Sequence, residues 1–436
     1  LPYFTSLTFS FTTKGFSKIK AGDLNMKSKF DLFYFTNSFP YGIGEQWKFN
    51  ELNVLKKYFN NIHLIPYHYN HNFNNPAKIP QGIIMHKPLF KDDQISVKKH
   101  DLFKFILHPK RLLFFKEFFN KKVYKNKKHL IDWFISTNRA ILLLRHPTII
   151  DITKKSNENC VWYFYWGKGS AEILPFVQPI KMYKSFVRMH RYDLFEYVNN
   201  NYIPYRKFLL QSSNIISPSS YAGKEHLDYL YPSEKEKIKV FRCGTVGNSK
   251  SSEPSNDGVF RIVSCALLSP VKRVDIMIQA LSLLPFEVEW HHIGDGFLRK
   301  ELEFLVKKLD LTDKFIFHGM LDSSKVLDFY TSNSFDVFIN VSQSEGVPFS
   351  IMESFAAGIP VIATDVGGNS EIVNNETGKL LKEDITPNLL AEEITKFKGL
   401  PDDVKVSIRN ACVQHYTKYW NAEKLANELG IFLISK

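Results

Sequence analysis

Short apolar runs alternate along this chain with longer stretches whose apolar residues recur at helical spacing. Lys29–Thr36 reads as a buried strand, Tyr41-Gly-Ile-Gly44 as a turn, Glu45–Tyr58 as a helix and Ile62–Ile65 as the next strand. The second half repeats the pattern more clearly. Its predicted strands are Phe260–Cys265, Phe286–Ile293, Phe315–His318, Phe335–Val341 and Pro360–Thr364. The predicted helices between them are Val274–Leu284, Leu298–Leu309, Ser323–Thr331 and Ser350–Ala357. Strands that alternate with helices of this length form βαβ units, so the fold class is α/β with parallel, doubly wound sheets. The polar, aperiodic segment 247–258, rich in Ser, Asn and Gly, reads as a linker between two such units.

Composition narrows the class. With 436 residues, 44% hydrophobic and 23% charged, the chain has the make-up of a globular protein with more than one core. No apolar stretch approaches the ~18 residues that a spanning helix requires. The four cysteines (Cys160, Cys243, Cys265, Cys412) lie far apart, which argues against a disulfide scaffold or a cysteine zinc site and for a reducing compartment. Residues 1–25 lack the features of a signal peptide, and Met26 stands just before the first strand. We expect 1–25 to be a leader or upstream extension. The net charge of +13 is unevenly divided. Residues 1–250 carry 39 Lys+Arg against 18 Asp+Glu, and the remainder carries 18 against 26. The N-terminal half therefore faces something anionic.

The chemistry is densest from Asn340 to Glu371. There a predicted strand ends, Glu345-Gly346 turns, and a helix starts near Ser350. The free N–H groups of that helix start form a seat for a phosphate or a sugar hydroxyl. Glu345 lies in the turn and Glu353 in the first helical turns, so both can face one crevice.

This segment resembles the E-x7-E region of retaining glycosyltransferases of the GT-B fold, in their large family 4, on the bacterial surface-polysaccharide branch. Other pieces follow in the family's order. Ser269-Pro-Val-Lys-Arg-Val-Asp275 is similar to its P-x-K-[GR]-x-D segment, His292-Ile-Gly-Asp-Gly296 to its G-D-G turn, and Phe317-His-Gly319 to its F-x-G strand end. Phe39-Pro-Tyr-Gly-Ile-Gly-Glu45 looks like its first glycine loop, and Val187-Arg-Met-His-Arg-Tyr-Asp193 like an R-x-H-G-x-D stretch. The resemblance implies two Rossmann-like domains facing across a crevice. On that reading 26–246 binds the acceptor, 247–258 links, 259–415 binds the nucleotide-sugar, and a helix over 416–436 crosses back to the first domain.

The resemblance also implies roles. Glu353 would hold the donor ribose and Lys272 its diphosphate, assisted by Arg273. Glu345 and the backbone of Gly346, Pro348, Phe349 and Ser350 would hold the donor sugar. His190 would lie near the transferred sugar, and Gly42 and Gly44 would let backbone approach the donor phosphates. Glu345, His190 and Lys272 form the implied catalytic set. No cofactor and no essential metal are expected, and no D-x-D occurs. Two positions depart from the pattern: Leu267 stands where relatives have a phosphate-contacting Arg, and Arg191 where the branch has Gly.

A further feature is the run Lys98–Lys128, with 11 Lys/Arg, two acids and seven Phe/Tyr. Leu112–Phe119 within it predicts an amphipathic helix, begun at Pro109, that could lie in an anionic membrane interface through Lys110, Arg111, Lys116, Lys121 and Lys122. The alternative is that its phenylalanines are core and its lysines merely solvated. The expected partners are a nucleotide-sugar, a lipid-linked or glycan acceptor, and the inner face of the cell membrane. Nucleic acid is not expected. An epimerase or hydrolase on the same fold, or a non-catalytic basic binding protein, remain the other readings.

Overall fold

A computed structural model describes residues 29–42, 45, 47–69, 76–91, 110–177, 184–247 and 250–435, with the backbone alone at 323–324. The 1–25 leader, Gly44 and the 98–109 part of the basic run lie outside the described residues.

The first domain is built on a six-stranded parallel sheet of β1 (Asp31–Thr36), β2 (Asn61–Pro66), β3 (Ile84–Met85), β4 (Cys160–Phe164), β5 (Lys184–Met189) and β6 (Ile215–Pro218), in the order β3-β2-β1-β4-β5-β6. The second repeats that order with β7 (Phe260–Cys265), β8 (Val288–Ile293), β9 (Phe315–Gly319), β10 (Val337–Asn340), β11 (Val361–Thr364) and β12 (Gly378–Leu381), arranged β9-β8-β7-β10-β11-β12. Both are Rossmann sheets, in which the order reverses between the first and fourth strands and opens a crevice at their carboxyl ends.

Seven helices matter to the site and its supports: α1 (Lys48–Leu55), α2 (Arg111–Asn120), α3 (Lys127–Arg145), α4 (Val274–Leu281), α5 (Phe349–Ala356), α6 (Asp402–Tyr419) and α7 (Ala422–Ile434). The strands are apolar at both parities because both sheet faces are covered. On β1, Phe33 and Phe35 enter one core with Trp162, Phe164 and Val187, while Leu32 and Tyr34 enter the opposite core with Leu64, Tyr163 and Phe186. On β7 and β10, Ile262 and Ile339 face one core and Val263 and Phe338 the other, against Ile351, Met352 and Phe355 of α5.

The single helix expected over 416–436 is broken. α6 ends at Tyr419, Trp420 is fully buried, and the Asn421 side chain accepts from Lys424 N at 3.0 Å to start α7. An asparagine at this position caps a new helix more favourably than it continues an old one. Two passes between the domains lie side by side here: Thr245 N donates to Trp420 O (3.0 Å) and Ala422 N to Thr245 O (2.9 Å). Beyond them α7 packs on the first domain. Ala426, Leu429 and Leu433 join its core, and Tyr58 Oη donates to Asn427 Oδ1 at 2.8 Å.

Candidate functional site

In the second domain the loops after β7 and β10 flank the switch point, and they deliver Lys272 and Glu345. Lys272 Nζ donates to Glu345 Oε1 at 2.5 Å. The same carboxylate oxygen accepts from Ser342 Oγ (2.6 Å) and Asn340 Nδ2 (3.2 Å), so this buried side chain is fixed in place by one cation and two neutral donors. The turn that carries Glu345 is pressed against Gly367 and Gly368. Gly368 N donates to Gly346 O at 2.7 Å, and a Cβ on Gly367, whose φ is +56°, would collide with Glu345 O. The Gly-Gly pair thus allows two loops to touch backbone to backbone.

Glu353 stands on α5, one turn below that helix's uncapped start. It is half-buried, with no hydrogen-bond partner among the described residues, and burial pushes its carboxyl up to about 8. Cys265 and Tyr330 lie close enough to feel its charge. Pro348 occupies the N-cap of α5 and supplies no side-chain cap, so the first-turn N–H groups of Phe349 and Ser350 lack an acceptor from the cap residue.

Arg273 does not assist Lys272 in this arrangement. Its guanidinium donates to three backbone carbonyls, Val341 O (2.6 Å), Glu383 O (2.6 Å) and Ser342 O (3.2 Å). The residue has φ +51°, which turns its side chain toward the loop after β10, so Arg273 fastens the site from behind. Leu267 is 57% exposed on the loop after β7 and brings no charge.

The first domain contributes the opposite wall. In the glycine loop after β1, Glu45 is buried and accepts from Phe39 N (2.7 Å), Ser38 N (3.1 Å) and Trp166 Nε1 (2.8 Å). Lys48, fully buried at the start of α1, is ion-paired to it and lies over the Tyr165 ring at 4.1 Å. Lys48, first among these partners, holds the Glu45 carboxyl down at about 2 against the opposing effect of burial. A Cβ on Gly42 would collide with the Ser38 side chain, so packing inside its own turn requires this glycine.

His190 follows β5. Its ring stacks on Tyr165 (centroids 5.1 Å) and tilts against Trp166 (4.7 Å), and its Nε2 is buried without a partner. Burial, with Arg188 and Lys48 nearby, drives its pKa well below the ordinary value and keeps the imidazole neutral. Buried Asp193 ties the crevice loops together, accepting from His190 N at 2.7 Å and from Gly167 N. Behind them Glu51 gathers Tyr34 Oη and Tyr163 Oη, each at 2.8 Å, and Arg188 at 2.5 Å.

The two walls touch. Trp47 stacks on Phe349 (centroids 4.9 Å, 25°), and Arg191 Nε donates to Ser344 Oγ at 2.7 Å. Arg242 pairs with Glu371 at 3.3 Å, and Ala222 N donates to the same carboxylate at 3.0 Å. Sequence reasoning missed Trp47, Lys48 and Trp166. The Gly167-x-Gly169 step directly after a Rossmann strand was the available signal for the loop that bears Trp166.

On α2 the inner face is core. Phe114 stacks on Phe176 at 4.8 Å, and buried Glu117 accepts from Tyr202 Oη (3.0 Å) and Tyr205 N (3.1 Å). Leu112, Phe115 and Phe119 form an outer stripe, 68%, 40% and 59% exposed. Arg111, Lys116, Lys121 and Lys122 are exposed beside it. Lys110 is not part of that face, because its Nζ donates to Pro175 O and Val177 O at 3.1 Å each. Among the described residues no helix is long and apolar enough to cross a membrane, and no cluster of three His, Cys, Asp or Glu could hold a metal ion.

Residues 247–412 match the glycosyl transferases group 1 family. An O-antigen biosynthesis glycosyltransferase of Escherichia coli, WbnH, is 30% identical over 139 residues, which is 31% of this chain and 38% of that protein. The match thus spans well under half of the relative's own length. Among solved structures, the lipopolysaccharide outer core galactosyltransferase WaaB superposes with a TM-score of 0.64 at 14% identity, covering 92% of this chain and 99% of that one. Anabaena HepE in complex with UDP does so with 0.61 at 15% identity, covering 94% and 99%. The chain has the GT-B fold, and the stretch 247–412, which spans most of its second domain, is similar to the glycosyl transferases group 1 family.

Proposed function

We propose that the protein is a retaining glycosyltransferase that moves a sugar from a nucleotide-sugar to a glycan or lipid-linked acceptor in surface-polysaccharide synthesis. The observation that carries this reading is the Lys272–Glu345 pair and the unpartnered Glu353 at one switch point, facing neutral His190 across the crevice. The O-antigen role named for the curated relative and the UDP named in the structural neighbour support the same assignment.

In this reading Glu353 accepts the ribose hydroxyls. Lys272 and the uncapped start of α5 face the diphosphate, where charge grows as the bond breaks. The anomeric carbon–oxygen bond opens, and its electron pair stays on the departing diphosphate. The acceptor oxygen attacks from the same face, and its proton passes to the leaving phosphate oxygen. Glu345, fixed by three donors, orients sugar hydroxyls and offsets the oxocarbenium charge. His190, held neutral, offers Nε2 to a sugar hydroxyl without adding positive charge beside that carbon. Lys272 and the helix start supply the positive potential, so the reading needs no metal ion.

The acceptor side is the basic first domain. The stripe of Leu112, Phe115 and Phe119 among exposed cations fits an anionic membrane surface that presents a lipid-linked acceptor. Incubating the protein with nucleotide-sugars and a bacterial membrane fraction in EDTA tests the reading. It predicts sugar transfer into the lipid-linked fraction with the donor's anomeric configuration kept. Inversion, or release of free sugar alone, would overturn it.

A further inference from the structure

We propose that Arg191 is the first domain's own contact to the diphosphate of the nucleotide-sugar, reaching the crevice from the wall opposite Lys272. The inference rests on the donor reading above and adds a residue to it that no motif assigns.

Arg191 opens the short helix Arg191–Leu194, and its backbone is fixed by His190 N donating to Asp193 Oδ1 (2.7 Å) and Asp193 N donating to His190 O (3.1 Å). The side chain crosses between the domains, where Nε donates to Ser344 Oγ at 2.7 Å. A Cβ built on Gly346 would lie 3.4 Å from Arg191 Cβ, so the arginine passes directly over the Ser344-Glu345-Gly346 turn. Lys272 meets the same turn through Glu345. Two cations from different domains therefore converge on one short loop, beside the uncapped start of α5.

The partners of the neighbouring arginines single this one out. Arg188 is paired with Glu51, Arg242 with Glu371, Arg206 donates to Asp193 O, and Arg273 is committed to three carbonyls. Arg191 is half-exposed and holds only a neutral hydroxyl through Nε, leaving both terminal nitrogens without a partner among the described residues. Exchanging a serine hydroxyl for a phosphate oxygen replaces a neutral hydrogen bond with a charge-assisted one, and a planar guanidinium can engage two oxygens together. The arginine that the sequence places where glycine is usual thereby gains a purpose.

The test measures affinity for whichever of UDP, GDP and ADP stabilises the wild type, and for its parent nucleoside, on wild type, Arg191→Gln, Arg191→Lys and Ser344→Ala. The proposal expects Arg191→Gln to weaken the diphosphate roughly 10- to 100-fold and to leave the nucleoside unchanged. Arg191→Lys should lose less, because it keeps the charge and loses the fork. Ser344→Ala should keep wild-type affinity for the diphosphate. Equal diphosphate binding by Arg191→Gln, or an equal loss in Ser344→Ala, would overturn the proposal, the latter by making Arg191 an inter-domain fastener only. A wild type that binds none of the three nucleotides would overturn the donor reading itself, and this inference with it.

Discussion

Lys272 and Glu345, 73 residues apart, meet at 2.5 Å because the loops after β7 and β10 border the same switch point. The pair makes a specific demand on stability and on chemistry. Removing the lysine leaves a buried carboxylate with two neutral donors only. Lys272→Met should lower transfer by about two orders of magnitude and lower unfolding stability by about 1–3 kcal/mol, read by initial rates and urea denaturation. An unchanged rate would remove Lys272 from the diphosphate site.

Glu353 predicts a pH dependence. Its folded pKa, pushed by burial to about 8, lies above its ordinary value of 4.5, so its contribution to stability is full below about 4.5 and is lost as pH rises through 8. Ribose hydroxyls donate to the carboxylate, so nucleotide binding favours the ionised form. Nucleotide affinity should therefore rise between pH 6 and pH 8, and Glu353→Gln should be both weaker and flat over that window. Titration calorimetry at several pH values reads both slopes. A wild-type profile as flat as the variant's would contradict the assignment.

Glu45 and Lys48 are a buried ion pair that shapes the glycine loop. Glu45→Gln strands a fully buried ammonium and should cost about 3–5 kcal/mol, with a lowered urea midpoint. The Glu45 carboxyl is held at about 2, below its ordinary 4.5, so its stabilisation is present above 4.5 and lost as pH falls toward 2. A loss under 1 kcal/mol would show that the loop does not depend on the pair.

The outer stripe of α2 can be tested apart from catalysis. The triple change Leu112→Ser, Phe115→Ser and Phe119→Ser should abolish sedimentation with vesicles containing phosphatidylglycerol while the protein still unfolds cooperatively, since Leu112 and Phe119 are mostly exposed and the core face of the helix is untouched. Wild-type binding should weaken with added salt and be absent on neutral vesicles. Equal sedimentation of wild type and triple variant would remove this face from membrane contact.

The strands and the Glu345–Glu353 turn were legible in the sequence because each is local: an apolar run, a turn signal, a helix start. β7 begins and ends where its apolar run does. Side-chain commitments were not legible. Arg273 and Lys110 look like free cations in the sequence, and the structure gives both to backbone carbonyls brought close by other loops. The Glu51 cluster joins residues 17, 112 and 137 positions away, and no spacing rule reaches that far. The break before α7 was available in principle, since Asn421 is a helix-capping residue following an aromatic that seals the hinge. Phe114 and Phe118 could not be separated from Leu112, Phe115 and Phe119 until the helix had a core to face.

The central claim is that Glu353 and its surroundings bind the nucleotide of an activated sugar, and melting curves with UDP, GDP and ADP in EDTA test it most directly. A ligand that binds only the folded state raises the melting temperature as its concentration passes the dissociation constant. The account predicts that one base stabilises the wild type and does not stabilise Glu353→Ala. No shift with any of the three on folded wild type, or an equal shift in the variant, would contradict it.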